Sequence, residues 1–445
     1  MNLENKEYNI VIVGGGVSGT ALLYTLSKYT TIKNIALLEK YSTLGHVNSN
    51  AKNNSQTLHV GDIETNYSLA KVQEVKPASM MVKYYTDSLD ENSRKNVIRK
   101  VQKMVLAVGK NEVKELNERF NFLKDIFPEI KKLDAVGIAE VEPEVMKGRN
   151  KDEEVTALFN AEGYAVNFEK LSQSFANEAE KQIEKNIQVL VNHKVKEIKK
   201  IKSGYVLKTN KENITARVVI VNTDAYSLGF AKQLGYGKEF SLIPIAGSFY
   251  FTKELLRGKV YRVQNPAMPF AAVHGDPDLT VGGVTRWGPT ARFYPVLEAG
   301  KIKTTFAFLK SSGLHRFQTW ISFLSILFEP VRFWYLLKNL LYEIPFFGKY
   351  IFLPQIKTIV PSIKVSDIKK AKGYGGMRLQ RVDTNKKELL LGEGKIIGKN
   401  IIFNMTPSPG ASVCLYNAMR DAEEITKFSN EFVFDKEQMT KDLIK

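Results

Sequence analysis

Residues 8–39 read YNIVIVGGGVSGTALLYTLSKYTTIKNIALLE, and this stretch decides the fold. Residues 8–13 form a short apolar run that is typical of a buried parallel strand. Residues 20–29 carry leucines at helical spacing, and residues 34–38 predict a second strand. The glycines between the first strand and the helix fit the pattern G-x-G-x-x-G. The stretch therefore predicts the strand–turn–helix–strand start of an α/β nucleotide-binding domain.

Each position of the glycine pattern has a physical role. Gly14 allows the tight turn, Gly16 lets the backbone approach a pyrophosphate, and Gly19 permits close packing of helix on strand. Glu39 ends the second strand, where its carboxylate can accept hydrogen bonds from ribose hydroxyls and disfavours NADP. The motif alone leaves FAD and NAD open. Its place at the start of the chain, with a second glycine-rich segment near the other end, favours FAD.

Composition limits the remaining possibilities. The 445 residues predict two or three structural units. The net charge of +17 favours an anionic partner such as nucleic acid, an acidic lipid surface or an anionic substrate. A single cysteine, Cys414, excludes an intramolecular disulfide framework and a cysteine-based metal cluster. No other metal site is expected.

The apolar segments are short. The N-terminal run before the glycines is too short for a signal peptide, and no uncharged stretch reaches the roughly 18 residues of a membrane-spanning helix. We expect a chain that folds in the cytoplasm without crossing a membrane. Peripheral membrane binding remains open.

Beyond the first unit the pattern predicts further elements. Residues 69–127 are expected to be mostly helical, and residues 240–251 and 269–287 to form antiparallel strands of a second sheet. The other predicted elements are strands at 188–193, 205–209, 216–221 and 400–403, and a helix after Gly410.

Four segments resemble the FAD-dependent 2-hydroxyacid dehydrogenases, a family that includes L-2-hydroxyglutarate dehydrogenase and the malate:quinone oxidoreductases. They are NSQTLHVGDIETNY at 54–67, Val273-His274 followed by Gly288-Pro289, GGMR at 375–378 and TPSPGAS at 406–412. With the glycine motif they cover residues 10 to about 420 in the family's order. Glu64, Asn66 and Tyr67, the strand VHGDPDL at 273–279 and the C-terminal loop resemble most the malate:quinone oxidoreductases of epsilon-class bacteria. Val273-His274 stands where the commoner enzymes have an aspartate–arginine pair, which indicates a divergent branch.

The resemblance implies a fold and an activity. The fold would be α/β, with a Rossmann-like FAD-binding domain and a second, largely antiparallel sheet, as in D-amino-acid oxidase. The FAD domain would comprise residues 1–80, 150–235 and 365–445, and the substrate domain residues 81–149 and 236–313. The activity would be hydride transfer from (S)-malate to FAD, giving oxaloacetate, with reoxidation by a membrane quinone, either menaquinone or ubiquinone.

Three alternatives remain. An L-2-hydroxyglutarate dehydrogenase and an amino-acid dehydrogenase or oxidase share the expected architecture. A non-catalytic basic protein that binds nucleic acid or membrane is the third, but the chain carries no nucleic-acid-binding motif.

Oxidation of a 2-hydroxy acid needs a base and cations for the carboxylates. His59 and His274 are the candidate bases, because both lie in the family segments. Arg378 is the candidate carboxylate ligand. Arg286 is either a second carboxylate ligand or half of a structural ion pair, and Tyr250 either lines the pocket or belongs to the core.

The expected cofactor contacts combine the glycine motif with the family segments. They are Gly14, Gly16, Gly19, Glu39, Lys40, Ser55, Asn222, Gly376, Gly410, Ala411 and Ser412. Non-covalent FAD is expected. A covalent link through Cys414 is conceivable, although a buried helical cysteine is the better interpretation.

Residues 314–364 form an insertion whose segment 314–352 contains 12 aromatic residues. Glu329-Pro330 interrupts it, and one predicted helical face is apolar: Trp320, Phe323, Leu324, Leu327 and Phe328. The flanking basic residues are Arg316, Arg332, Lys338 and Lys349. This pattern predicts an interfacial helix pair on the cytoplasmic face of the inner membrane. A core hairpin or an oligomer contact is the alternative.

Overall fold

The computed structural model describes residues 6–264, 272–314, 316–390, 392–406 and 409–444. The strands within these ranges are β1 Lys6–Val13, β2 Asn34–Leu38, β3 Ile98–Lys100, β4 Lys103–Val108, β5 Lys131–Leu133, β6 Val155–Asn160, β7 Tyr164–Val166, β8 Asn186–Leu190, β9 Glu197–Ile201, β10 Gly204–Lys208, β11 Asn213–Val221, β12 Phe240–Ala246, β13 Tyr250–Lys253, β14 Lys259–Arg262, β15 His274–Pro277, β16 Val284–Gly288, β17 Arg292–Phe293, β18 Lys369–Lys370, β19 Met377–Asp383, β20 Glu388–Leu390, β21 Gly394–Gly398 and β22 Ile401–Met405. The helices are α1 Val17–Tyr29, α2 Leu69–Asp87, α3 Glu91–Val97, α4 Lys110–Ile126, α5 Ala135–Val141, α6 Pro143–Met146, α7 Phe168–Glu180, α8 Ala225–Gln233, α9 Thr305–Ser312, α10 Phe317–Leu327, α11 Pro330–Leu341, α12 Gly348–Lys357, α13 Cys414–Thr426 and α14 Lys436–Leu443.

The first sheet is the nucleotide-binding one. Its strands run in the order β21-β22-β11-β1-β2-β8, with β10 and β9 attached through β11. The pairs β1–β11, β1–β2, β2–β8 and β11–β22 are parallel. Helices α1, α7 and α13 pack together on one face, as the all-apolar central strands require. The strand–turn–helix–strand prediction for residues 8–39 is confirmed.

Two further sheets form the second part of the molecule. One has the order β18-β13-β16-β15-β14-β4-β6-β5, and the other has the order β17-β12-β19-β20. Every pair in them is antiparallel except β14–β4. The predicted fold class, a parallel nucleotide domain with a largely antiparallel second part, is therefore confirmed.

Several sequence-based boundaries need correction. The single strand predicted at 240–251 is two strands in different sheets, because the chain turns after Ala246 where Gly247 N donates to Gly376 O at 3.0 Å. The helical region predicted at 69–127 contains the buried strand β4. Strands β6 and β19 lie within the predicted FAD-domain ranges but pair with strands of the second part. Residues 269–271 of another predicted strand lie outside the described residues.

The insertion forms the bent helix pair α10–α11 followed by α12. Trp320, Leu324 and Phe328 are exposed, but Phe323 is buried and packs with the core around β12 and β19. The prediction that Phe323 shares the outward face is therefore wrong. Leu327 is only partly buried and packs against the same core. Within the described part of the chain no single helix could span a membrane, whereas α10 and α11 together, bent by 82°, have the required length and composition.

Candidate active site

The glycine turn leaves the N-terminus of α1 open. Gly14 has a φ of +110°, and a Cβ there would lie 2.3 Å from Asn222 O. A Cβ on Gly19 would lie 1.9 Å from Gly14 O. Gly16 precedes the helix without a side-chain cap, and the first turn of α1 carries no acidic residue. Val17 N at this end already donates to Ser49 Oγ at 2.9 Å, but the helix dipole still favours an anionic group such as a pyrophosphate.

Glu39 lies beside this turn at the end of β2. Its Oε2 accepts a hydrogen bond from Gly15 N at 2.7 Å, and its Oε1 accepts one from Tyr41 N at 2.9 Å. Each carboxylate oxygen keeps a further acceptor position for a ribose hydroxyl. Glu39 therefore both holds the turn and faces the space expected for a nucleotide.

A cleft of about 1190 Å³, including its open mouth, extends from this turn. Six of the predicted cofactor residues line it: Gly14, Gly16, Glu39, Lys40, Asn222 and Ala411. Amide donors, a carboxylate and an elongated space fit the nucleotide end of a dinucleotide. Gly19 lies behind the turn, where its role is packing.

The remaining predicted cofactor residues lie where the C-terminal loop meets the segment 51–59. Ser412 Oγ accepts a hydrogen bond from His59 N at 3.0 Å. Gly375 N donates to Lys52 O at 3.0 Å, which places Gly376 against the same segment. Ser55 and Gly410 are buried there. Pro407 and Ser408 of the predicted closing loop lie outside the described residues.

His59 is held by a carboxylate. Its Nδ1 hydrogen-bonds Glu64 Oε1, while its Nε2 lies 3.3 Å from Ser55 Oγ. Burial alone would raise the pKa of Glu64, but the charges of His59 and Lys103 and the His59 hydrogen bond hold that pKa below its ordinary value. Arg119 donates to the carbonyls of Glu64, Thr65 and Tyr67, so the loop that carries the carboxylate is fixed. The arrangement fixes the orientation of the His59 ring, with Nδ1 toward Glu64 and Nε2 toward Ser55.

His274 is buried at the start of β15. Its Nδ1 lies 3.1 Å from Ala272 O, and because a carbonyl only accepts, Nδ1 carries the proton. The unprotonated Nε2 then lies 3.4 Å from Asp276 Oδ2. Burial lowers the pKa of His274 to about 4, so the imidazole is neutral at neutral pH. The ring stacks on Tyr261 with centroids 4.3 Å apart, and the Tyr261 hydroxyl lies 2.7 Å from Thr57 Oγ1.

Arg378 enters this region at the start of β19. Arg378 is half-buried, and no hydrogen bond or ion pair joins its guanidinium to another described residue. Burial lowers its pKa, and its positive charge contributes to the low pKa of His274. Tyr335 of α11 and Tyr261 also lie within electrostatic range of it. A half-buried cation without an ion-pair partner among the described residues suits a carboxylate ligand.

Arg286 contacts protein carboxylates. Its Nη1 lies 3.2 Å from Asp278 Oδ2, its Nη2 lies 3.9 Å from Asp276 Oδ2, and the guanidinium covers the Phe249 ring at 4.7 Å. Its side chain is fully buried. The contact with Asp278 fits the structural ion pair that the sequence left open. A carboxylate-binding role for Arg286 stays a prediction, because its buried Nε and Nη2 have no hydrogen-bond partner among the described residues.

Tyr250 points away from the histidines. Its hydroxyl donates to Tyr342 O, and its ring stacks on Phe352 with centroids 4.9 Å apart. It is part of the hydrophobic core between the second sheet and α12. The pocket-lining role is corrected to a core role.

Sequence reasoning missed the buried charges around His274. Lys259 Nζ lies 3.3 Å from Asp276 Oδ1 and donates to Ser55 O at 2.9 Å. Lys103 and Asp62 form a second buried pair at 2.8 Å. Alternating residues of β14 place Lys259 and Tyr261 on one side of the sheet, but only the register with β15 brings them to His274. Asp276 stands two residues after His274 on one strand, a spacing that could have suggested it.

Cys414 is fully buried at the start of α13. Burial raises its pKa to about 12, so the thiol remains protonated and unreactive. The structure therefore does not favour a covalent bond between Cys414 and the flavin.

Comparison with known families gives a consistent result. The profile of the malate:quinone oxidoreductase family matches residues 6–420. The malate:quinone oxidoreductase of Helicobacter pylori is 42% identical over 99% of this chain and 98% of its own length. A probable malate:quinone oxidoreductase of Campylobacter jejuni is 43% identical over 98% of this chain and 99% of its own length.

Solved structures share the fold at lower identity. Glycine oxidase from Geobacillus kaustophilus has a TM-score of 0.64 and 17% identity, covering 96% of each chain. L-α-glycerophosphate oxidase from Mycoplasma pneumoniae, solved with FAD bound, has a TM-score of 0.63 and 18% identity, covering 95% of this chain and 96% of its own. These likenesses agree in architecture with the two-part fold described above.

Proposed function

The chain belongs to the malate:quinone oxidoreductase family, and on that premise we propose that it oxidises (S)-malate to oxaloacetate with FAD as the first electron acceptor and a membrane quinone as the second. It is an oxidoreductase that acts on malate. Bound FAD supplies the acceptor for the hydride that leaves C2 of malate.

The nucleotide cleft supports the choice of cofactor. The amides at the start of α1 would bind the pyrophosphate, and Glu39 would accept hydrogen bonds from the adenosine ribose. Asn222 and Ala411 line the same cleft, and Ser412 ties the C-terminal loop to the His59 segment.

One observation carries the substrate assignment: the chain is 42% identical over 99% of its length to the malate:quinone oxidoreductase of Helicobacter pylori. Arg378, whose guanidinium has no ion-pair partner among the described residues, adds a cation within electrostatic range of His274. Arg378 would bind a malate carboxylate and orient the 2-hydroxyl group. His274 Nε2 would take the hydroxyl proton, since Ala272 O fixes the proton already present on Nδ1. Asp276 would then stabilise the imidazolium that forms.

His59 is the competing base. Its dyad with Glu64 has the geometry of an oriented base, and its side chain is more exposed than that of His274.

The quinone supports a membrane location, since long-tailed quinones partition into the bilayer. The outward side chains of α10 and α11 supply an apolar surface, with Trp320 49% and Trp334 66% exposed. Lys338 is exposed beside them. Such a surface suits peripheral docking on the cytoplasmic leaflet.

Anaerobic mixing of the purified holoenzyme with substrates tests the proposal. (S)-Malate should bleach the flavin absorbance far faster than L-2-hydroxyglutarate or an L-amino acid. Faster bleaching by either of the other substrates would replace malate with that class. (R)-Malate serves as the matched control, because it carries the same charges with the C2 hydrogen reversed.

A further inference from the structure

Glu298 joins four side chains at the rim of the nucleotide cleft. Its carboxylate accepts hydrogen bonds from Tyr226 Oη at 2.7 Å and from Lys40 Nζ and Tyr41 Oη. Lys301 Nζ lies 3.2 Å from its second oxygen. Although the cleft is open, only 4% of the Glu298 side chain is exposed.

The same residues are also stacked on one another. Lys40 Nζ lies 4.1 Å from the centre of the Tyr226 ring, and Lys301 Nζ lies 4.0 Å from the centre of the Tyr41 ring. Burial alone would raise the pKa of Glu298, but Lys40 and the two tyrosine hydroxyls hold it at about 2. The carboxylate is therefore ionised at any working pH, and its contacts are charge-assisted.

These contacts connect separate parts of the chain. Lys40 and Tyr41 follow β2 of the first sheet, and Tyr226 lies in the first turn of α8. Glu298 lies between β17 of the second part and α9, in a loop whose Leu297 N donates to Thr304 Oγ1 at 3.1 Å. Lys40, Tyr226 and Glu298 all line the cleft. The Glu298 carboxylate thus connects the loop between β17 and α9 to Lys40 and Tyr226 of the first part.

We propose that Glu298 is a positioning residue that holds Lys40 and Tyr226 over the nucleotide end of the cleft and so retains the adenosine diphosphate part of FAD. The inference rests on the proposed FAD. A dinucleotide leaving this end of the cleft must part Glu298 from Lys40 and Tyr226, so these contacts slow its release without touching the reacting atoms.

Displacement of FAD from the holoenzyme tests this. Excess 8-chloro-FAD is added and exchange is followed by absorbance, which needs no turnover. Because charge-assisted hydrogen bonds are the strong ones, Glu298→Gln should raise the release rate constant by about 10-fold to 100-fold. Tyr226→Phe, which keeps the ring and removes one hydrogen bond, should raise it several-fold. Glu112→Gln, which breaks the Arg262 ion pair in the second part, is the matched control and should not change it.

The outcomes separate the two proposals. If FAD leaves both Glu298→Gln and Tyr226→Phe at the wild-type rate, the positioning role of Glu298 is overturned. The cofactor assignment is then unaffected. Wild-type protein that binds no flavin overturns the cofactor assignment itself. If Glu298→Gln does not fold, Tyr226→Phe provides the test. FAD exchange that is several-fold faster than in the wild type supports the positioning role of Glu298, and an unchanged rate rejects it.

Discussion

His274 and His59 are both oriented imidazoles, but they differ in environment. His274 is neutral, buried and within electrostatic range of Arg378, whereas His59 is paired with Glu64. If His274 is the base, His274→Ala should slow flavin reduction by malate about 10²–10⁴-fold while malate still binds. Tyr250→Phe is the control, because it removes a core hydrogen bond away from the histidines and should leave the rate unchanged. A His274→Ala enzyme that reduces flavin at the wild-type rate would transfer the role to His59.

The low pKa of His274 predicts a pH dependence. Because burial lowers that pKa to about 4, the base stays unprotonated through mildly acidic pH. The reduction rate should therefore show no decrease between pH 7 and about pH 5. A decrease with a midpoint between pH 6 and 7, near the ordinary histidine pKa, would show that His274 is not the group that titrates.

The lowered pKa of His274 also predicts that the free energy of unfolding depends on pH. The unfolded chain binds this proton from about pH 6.5 downwards, but the folded protein binds it only near pH 4, so the free energy of unfolding falls as pH decreases between these values. Urea unfolding at pH 7 and pH 5 measures this loss. It should be smaller in His274→Gln, which cannot take up the proton.

Arg378 supplies positive charge that no described carboxylate neutralises. Arg378→Gln should raise the KM for malate at least about 10-fold, because the substrate carboxylate loses its charge-assisted partner. Arg378→Lys should recover only part of the affinity, since an ammonium cannot bind both carboxylate oxygens in one plane. Arg217→Gln, which breaks a surface ion pair with Glu431, is the control. An unchanged KM in Arg378→Gln would remove this residue from the substrate site.

Residue types and short motifs could identify part of the site from the sequence. His59, His274 and Arg378 stand in recognisable segments, and Tyr261 links two of them, because it stacks on His274 and lies within electrostatic range of Arg378. Asp276, Lys259 and Glu298 acquire their meaning only from contacts between distant strands and loops. Arg286 and Tyr250 were ambiguous for the same reason, because partners such as Asp278 and Tyr342 O are not visible in a linear pattern.

Helices and strands can be predicted from the local sequence where the periodicity of the apolar residues is clear. The β1–α1–β2 unit was predicted because apolar runs, glycines and leucine spacing agree. Strand β4 is not evident from the sequence, because the five apolar residues that follow Lys103 between lysine-rich helical segments also suit a buried helix turn. The break between β12 and β13 depends on backbone bonds to Gly376, 129 positions after Gly247, which no local window contains.

The contact between α1 and the glycine turn makes a structural prediction. Gly19→Ala places a methyl group 1.9 Å from Gly14 O, so helix and strand must separate. We expect a loss of roughly 1–3 kcal/mol in the free energy of unfolding and reduced flavin content. Gly282→Ala is the matched control, since open space surrounds that position. Equal thermal stability and flavin content in both variants would contradict the packing role of Gly19.

At the scale of the whole molecule, the exposed apolar surface is concentrated on one group of helices. Large side chains on and around α9–α12 are exposed: Phe306, Phe317, Trp320, Leu324, Phe328, Val331, Trp334, Phe346, Phe347 and Tyr350. Many large apolar side chains exposed on one group of helices indicate an interaction site. With a net charge of +17, the chain as a whole is attracted to an anionic leaflet.

Membrane docking through this surface is the last prediction. Replacing Trp320, Phe328 and Trp334 with serine removes apolar contacts worth roughly 1.5–3 kcal/mol each if fully buried in lipid, while the basic residues remain at about 1 kcal/mol each. The triple variant should release from anionic vesicles at moderate salt, whereas the wild type should need detergent. Its malate–dye activity should persist, because the substituted side chains are exposed, but its rate with a long-tailed quinone in vesicles should fall. The control variant combines Ile183→Ser with Val136→Ser, which replace exposed apolar side chains outside this surface. It should bind vesicles like the wild type. A triple variant that still sediments with vesicles at high salt and still reduces the vesicle quinone at full rate would assign this surface to contact between protein chains.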